Sequence, residues 1–209
     1  MNQHLISVNP RERLIDRELS WLAFNERVLE LAEDPSNPLL ERCRYLAIFS
    51  SNLDDFYMIR VASVKRKLEN GVTKKNTAGY SPHELIAEIS KKTQELIARQ
   101  TKCFHNDLIP QLKEHGIELT NWENLTQDEV DYINRIFEKR IFPVLTPLAV
   151  DPSHPFPYIS GLSLNLAVLV KQPDTKEELF ARVKVPASLP RFPLIPPSPF
   201  KLSTRPAWF

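Results

Sequence analysis

The sequence predicts an α+β protein: a mainly helical N-terminal bundle followed by an incomplete α+β domain. Three observations carry this. Apolar residues recur at three- and four-residue steps from about residue 14 to 115. Two capping boxes, Ser81-Pro82-His83-Glu84 and Thr126-Gln127-Asp128-Glu129, mark helix starts. Of the 18 prolines, 13 lie at or after Pro143, where the chain turns extended.

Asp16 is a good N-cap for a first helix running to about Ala32, with Leu19, Leu22, Phe24, Val28, Leu29 and Ala32 as its apolar stripe. Asn37 then reads as an N-cap and Pro38 as the first residue of a second helix to Phe49. A third helix is expected to start at Asn52 to Asp54, run to Asn70 and end at Gly71. The fourth opens at Ser81, and Pro110 should kink or break it before Gly116.

Ile117 to Leu119 reads as a short strand, and Thr126 opens a helix to about Phe142. Leu162 to Val170 alternates and then becomes continuously apolar, and Leu179 to Val185 reads as its return strand in a hairpin. The 24 residues from Pro186 hold seven prolines and no acid, and are not expected to fold. The expected organisation is a disordered N-terminus over 1–13, a helical domain over 14–115, an incomplete domain over 116–192 and a Pro-rich tail over 193–209.

Composition excludes several function classes. A net charge of +1 gives no global field for nucleic acid. No apolar run is long enough to cross a bilayer, and no signal peptide is evident. Cys43 and Cys103 both sit in helical apolar patterns, as free thiols in a reducing cytoplasm would. The four glycines are scattered singly, so no phosphate loop or dinucleotide fingerprint can be built. The five histidines form no ligand-like pair, and no metal site is expected. His154, between Pro152 and Pro155, is a proline-pinned loop residue that could be mistaken for a nucleophile.

Two segments could carry chemistry. Asn52, Asp54 and Asp55, placed at a helix start, could meet a polar ligand at free backbone N–H groups; capping explains the same residues without one. Two carboxylates there would repel a triphosphate, so the place suits the base or ribose end of a nucleotide. Arg60, Lys65, Arg66, Lys67, Lys74 and Lys75, opposed only by Glu69, could guide a polyanion or simply solvate a helix face and loop.

Read together, the strings RELSWLAFNERVL (17–29), SNPLLER (36–42), SNLDDFYMIR (51–60), IFPVLTPLA (141–149) and the PFPY stretch through Val170 resemble the N-terminal part of bacterial polyphosphate kinase of the histidine-autophosphorylating type. The strings are specific, fall in order, and span about residues 14–192. The resemblance implies a phosphotransferase moving the terminal phosphate of ATP reversibly onto polyphosphate through a phosphohistidine. It implies a helical N-terminal domain closing over the nucleotide base, and a head domain with dimer contacts. It also implies C-terminal domains that hold the catalytic histidines and the residues serving magnesium.

The family's base-side contact maps onto Asn52, the one ATP-binding residue expected here; no catalytic or metal-binding residue is assigned. ATP and Mg2+ are expected as cofactors of the full-length family, with none assigned to this chain alone. The expected partners are ATP, polyphosphate and a second copy through the head domain, without nucleic acid or a transmembrane segment, in the cytoplasm or at the membrane periphery. On this reading the chain is a truncated member, inactive alone and supplying only the base-side contact and dimer surface. The alternative is a non-catalytic helical interaction module.

Overall fold

The computed structural model describes residues 9–150, 156–171, 178–195 and 205–206. The architecture is the α+β arrangement that the sequence predicts. The chain divides into two compact units, Met1–His115 and Gly116–Phe209.

In the first unit, a short helix α1 (Pro10–Arg13) is capped by Asn9, whose side chain accepts from the Arg11 N–H. This corrects the expectation of disorder through residue 13. Proline at the first helical position fits the start, and Arg11 anchors it by donating to the Gly79 carbonyl, pairing with Glu84 and lying over the Tyr80 ring.

Helix α2 (Arg17–Glu33) starts where Asp16 predicts: the Asp16 carboxylate accepts from the Glu18 and Leu19 N–H groups at 2.9 and 3.1 Å. Asn37 does not cap the next helix. It donates to the Leu31 carbonyl at 2.9 Å, satisfying the end of α2, while Pro38 takes the N-cap position of α3 (Leu39–Asp55).

The main correction concerns the third predicted helix. Helix α3 does not end at Phe49. It continues through a π turn (Phe56–Val61) into α4 (Ala62–Glu69), so one helical rod runs from Leu39 to Glu69. No glycine or proline interrupts it, and Leu46, Phe49, Leu53 and Phe56 keep one buried face at steps of three and four. Asn52, Asp54 and Asp55 therefore lie inside a helix, and the argument from free N–H groups at a helix start does not apply to them. Gly71 does end the rod, in the left-handed conformation at φ +70°, with Val72 N–H bonding Lys67 C=O.

Helix α5 (Pro82–Cys103) carries the predicted capping box in full. Hydrogen bonds from the Ser81 backbone, then from Arg11 and the Ser81 hydroxyl, hold the Glu84 carboxyl at about 2. Pro110 does not break the rod. A π turn (Phe104–Leu108) leads into α6 (Ile109–Glu114), and proline sits in the first turn after it, where the hydrogen-bond ladder is already off the regular α pattern.

Helix α2 packs against both α3 and α5. The core holds Leu22, Leu29, Phe49, Phe56, Ile89 and Leu96, all fully or almost fully buried. Cys43 and Cys103 are free thiols, and burial pushes both up.

In the second unit, Ile117 to Leu119 forms no strand; only isolated bridges occur at Ile117 and Thr120. Helix α7 (Gln127–Ile136) starts with the predicted Thr126–Glu129 box and runs into a π turn (Phe137–Ile141) and a 3-10 turn (Phe142–Val144). Strands β1 (Pro147–Val150), β2 (Asn165–Lys171) and β3 (Glu178–Lys184) form an antiparallel sheet in the order β1-β3-β2. The expected hairpin is β2–β3, with Leu166 opposite Val183 and Val170 opposite Leu179.

The expectation that nothing folds after Pro186 is corrected at β4 (Leu194–Ile195), which pairs with β5 (Arg205–Pro206). Ile195 is buried against Ile133 beside Leu125 and Tyr132. That apolar contact overrides the lack of any repeating pattern.

Candidate functional site

The rod that carries Asn52 sets it one turn before Phe56, on the same face. Helix α2 faces it with Trp21 and Asn25, also one turn apart. Two layers result. Trp21 stacks on Phe56, with ring centroids 4.5 Å apart and planes 7° from parallel. Asn25, which is 0% exposed, donates to the Phe49 carbonyl at 3.1 Å and accepts from Asn52 Nδ2 at 2.9 Å.

Asn52 is thus half-buried and held by one end of its amide. One of its two Nδ2 hydrogens is given to Asn25, and its Oδ1 takes no hydrogen bond among the described residues. An amide fixed in this way presents an acceptor.

The structure does not gather the other candidates with it. Asp54 and Asp55 lie exposed on the outer side of the rod. Arg60 falls in the π turn, half-buried and without an ion pair among the described residues. Tyr57, Met58 and Ile59, which precede it in the chain, are exposed. His154 lies outside the described residues.

Sequence reasoning missed Asn25, the residue that orients Asn52. Its only signal is a polar residue on the apolar stripe between Leu22 and Leu29. It also missed an ion cluster at the far end of α2: Arg99 bonds Glu26 and Glu33, and Lys92 pairs with Glu26 at 2.8 Å. The Lys92 hydrogen bond and that of Arg99 hold the Glu26 carboxyl below the usual carboxylate range. These groups satisfy one another across helices and have no ligand-like geometry.

Magnesium is a further test. Among the described residues no group of three or more His, Cys, Asp or Glu side chains could hold a metal ion. No helix among them is long and apolar enough to cross a membrane.

Comparison with known proteins bears on this geometry. The family profile described as polyphosphate kinase N-terminal domain matches residues 14–120, and that of the polyphosphate kinase middle domain matches residues 128–205. The second match passes Phe192 and so covers part of the stretch 193–209 expected to fall outside the family.

The chain is 58% identical over 183 residues to a polyphosphate kinase of Streptomyces coelicolor, covering 88% of this chain and 24% of that protein. It is 55% identical over 181 residues to one from Synechocystis, covering 87% and 25%. It superposes on the crystal structure of polyphosphate kinase from Porphyromonas gingivalis with a TM-score of 0.76 at 31% identity, covering 93% of this chain and 28% of that one. The chain spans about a quarter of the length of the curated relatives it matches.

Proposed function

The chain belongs to the polyphosphate kinase family, and from that premise we propose that it supplies the base-side nucleotide contact, at Asn52, for transfer of the terminal phosphate of ATP onto polyphosphate. The observation that carries this is the tethered amide. Asn25 holds Asn52 Nδ2 and leaves Oδ1 as a fixed acceptor, complementary to the exocyclic amine of adenine.

Transfer itself we assign to the family's other domains. It needs a positioned nucleophile and cations around the phosphoryl oxygens. In the family the nucleophile is a histidine, which becomes the phosphohistidine, and magnesium serves the phosphates there. Asn52 would position, not react.

The test is a chimaera in which residues 14–192 replace the matching stretch of the Streptomyces coelicolor relative. In it, Asn52→Ala is expected to raise KM for ATP about tenfold, the loss of one hydrogen bond of about 1.4 kcal/mol. KM for polyphosphate should not move. Equal changes in both constants would reduce Asn52 to a structural role.

The β-sheet supports the second part of the reading, self-association. Leu166, Val168 and Val170 of β2 share one sheet face with Leu179, Ala181 and Val183 of β3, and Leu166, Val170 and Leu179 are exposed. Such an apolar face, with an open edge at β2, is suited to a second copy. Sedimentation should find an oligomer that Leu166→Lys with Val170→Lys converts to monomer. A monomeric unaltered chain would contradict it.

A further inference from the structure

The N-terminal unit carries a second feature that the Asn52 reading leaves unused. A cleft of about 510 Å³ lies between the start of α2, the end of α4 and the loop from Val72 to Ala78. Its chemistry follows from how the chain turns. Gly71, at φ +70°, reverses the backbone after α4, and Val72 N–H bonds Lys67 C=O at 2.9 Å. The loop therefore runs back beside the last helical turn and sets Lys74 and Lys75 in the same cleft as Lys67.

The loop is anchored immediately after those lysines. Asn76 Nδ2 donates to Asp16 Oδ2 at 2.7 Å, and Asn76 Oδ1 accepts from the Tyr80 N–H at 3.0 Å. That anchoring also spends the cleft's acids. Asp16 is buried and accepts from two N–H groups of α2 as well as from Asn76. Glu18 is buried and paired with Arg17 at 3.0 Å. Lys67, Lys74 and Lys75 are exposed and have no ion pair among the described residues. Lys67 is suited to the negative end of α4, but Lys74 and Lys75 lie beyond the helix, where no dipole calls for them.

We propose that this cleft is a docking site for a linear inorganic polyphosphate, gripped by Lys67, Lys74 and Lys75 and separate from the Asn52 contact. The class of anion follows from two features. Three cations that share one cleft suit a chain of bare phosphates, and the aromatic residue in its lining, Tyr80, already carries Arg11 over its ring, whereas single-stranded nucleic acid is gripped by stacking as well. The polyphosphate identity rests on the family reading given above, whereas the anion site rests on the cleft alone.

The experiment measures binding of a labelled inorganic polyphosphate of uniform length to the whole chain across a salt series. With Lys67→Ala, Lys74→Ala and Lys75→Ala combined, affinity should fall at least tenfold. The slope of log K against log salt should fall by about two to three, the number of released phosphate contacts. A charge-matched control, Lys91→Ala, Lys102→Ala and Lys139→Ala, should change neither. Asn52→Ala should leave polyphosphate affinity intact, so failure of the base-contact reading would not be mistaken for failure of this one.

Equal affinity of the triple variant and the unaltered chain would overturn the proposal, as would an equal loss in the control. Single-stranded DNA of matched charge bound as tightly as polyphosphate would overturn the choice of ligand. All six lysines are exposed, so the variants should melt with the parent, and that melting is the check on folding.

Discussion

Arg42→Ala is expected to destabilise the N-terminal unit by about 3 kcal/mol or more. Arg42 is 1% exposed and stands between two helices. Its Nε donates to the Ala32 carbonyl at 2.7 Å, at the end of α2 where carbonyls lack intrahelical partners. Its terminal nitrogen pairs with Asp107, 65 residues further along, and Asp107 also accepts from Gln111. Alanine leaves the buried Ala32 carbonyl with only the weak Cys103 thiol as donor, strips Asp107 of its cation and opens a void. Arg42→Met, which keeps most of the volume, should recover only the packing share.

The same pair has a pH signature. The Arg42 hydrogen bond holds the Asp107 carboxyl below its ordinary 3.8. A depressed carboxylate stabilises above its unfolded value and loses that contribution as pH falls through the folded one. The gap between parent and variant should therefore narrow below pH 3.8. Urea unfolding at neutral and acid pH measures both, and a neutral-pH loss below about 0.5 kcal/mol would place Arg42 among ordinary surface residues.

Phe56→Ala carries the second large effect, about 3 to 5 kcal/mol. Phe56 is almost fully buried and stacks on Trp21. It also begins the π turn and lies on the face that presents Asn52. Alanine there empties the layer beneath the amide pair, so KM for ATP in the chimaera should rise along with the loss of stability. Phe56→Leu should restore much of the stability by refilling volume while losing the flat contact with Trp21. If Phe56→Ala melts with the parent, the Trp21 layer does not support the site.

What the sequence makes legible is what is settled locally. Asp16, Ser81 with Glu84, and Thr126 with Glu129 announce their helices because a cap and its partner N–H lie within three residues. Gly71 ends its helix for the same reason. The hairpin of β2 and β3 is legible from alternation flanking a polar turn. Asn52 itself is legible only through the family's strings.

What stayed hidden depends on distance or on exceptions to the helical period. Asn52 to Asp54 look like a helix start because asparagine and aspartate favour caps, yet buried Phe49, Leu53 and Phe56 keep the rod continuous. The π turns at Phe56 and Phe104 leave no compositional mark, and the second lets Pro110 pass. Arg42 reads as a surface cation until Asp107 and the Ala32 carbonyl meet it. Asn25 reads as a flaw in an apolar stripe until Asn52 arrives from 27 residues away. Ile195 sits in a proline-rich stretch without period, and its burial comes from Ile133 with Leu125 and Tyr132 beside it.

We propose above that the tethered Asn52 amide reads the adenine base. The measurement that tests it most directly is a cycle in the chimaera, comparing Asn52 with Asn52→Ala on ATP and on inosine triphosphate, which lacks the exocyclic amine. An approximately tenfold rise in KM is expected with ATP and a smaller one with inosine triphosphate, because hypoxanthine carries a carbonyl acceptor where adenine carries the amine, and its N1–H donor lies one ring position away. An equal rise with both nucleotides would contradict it and leave Asn52 as a brace for Asn25.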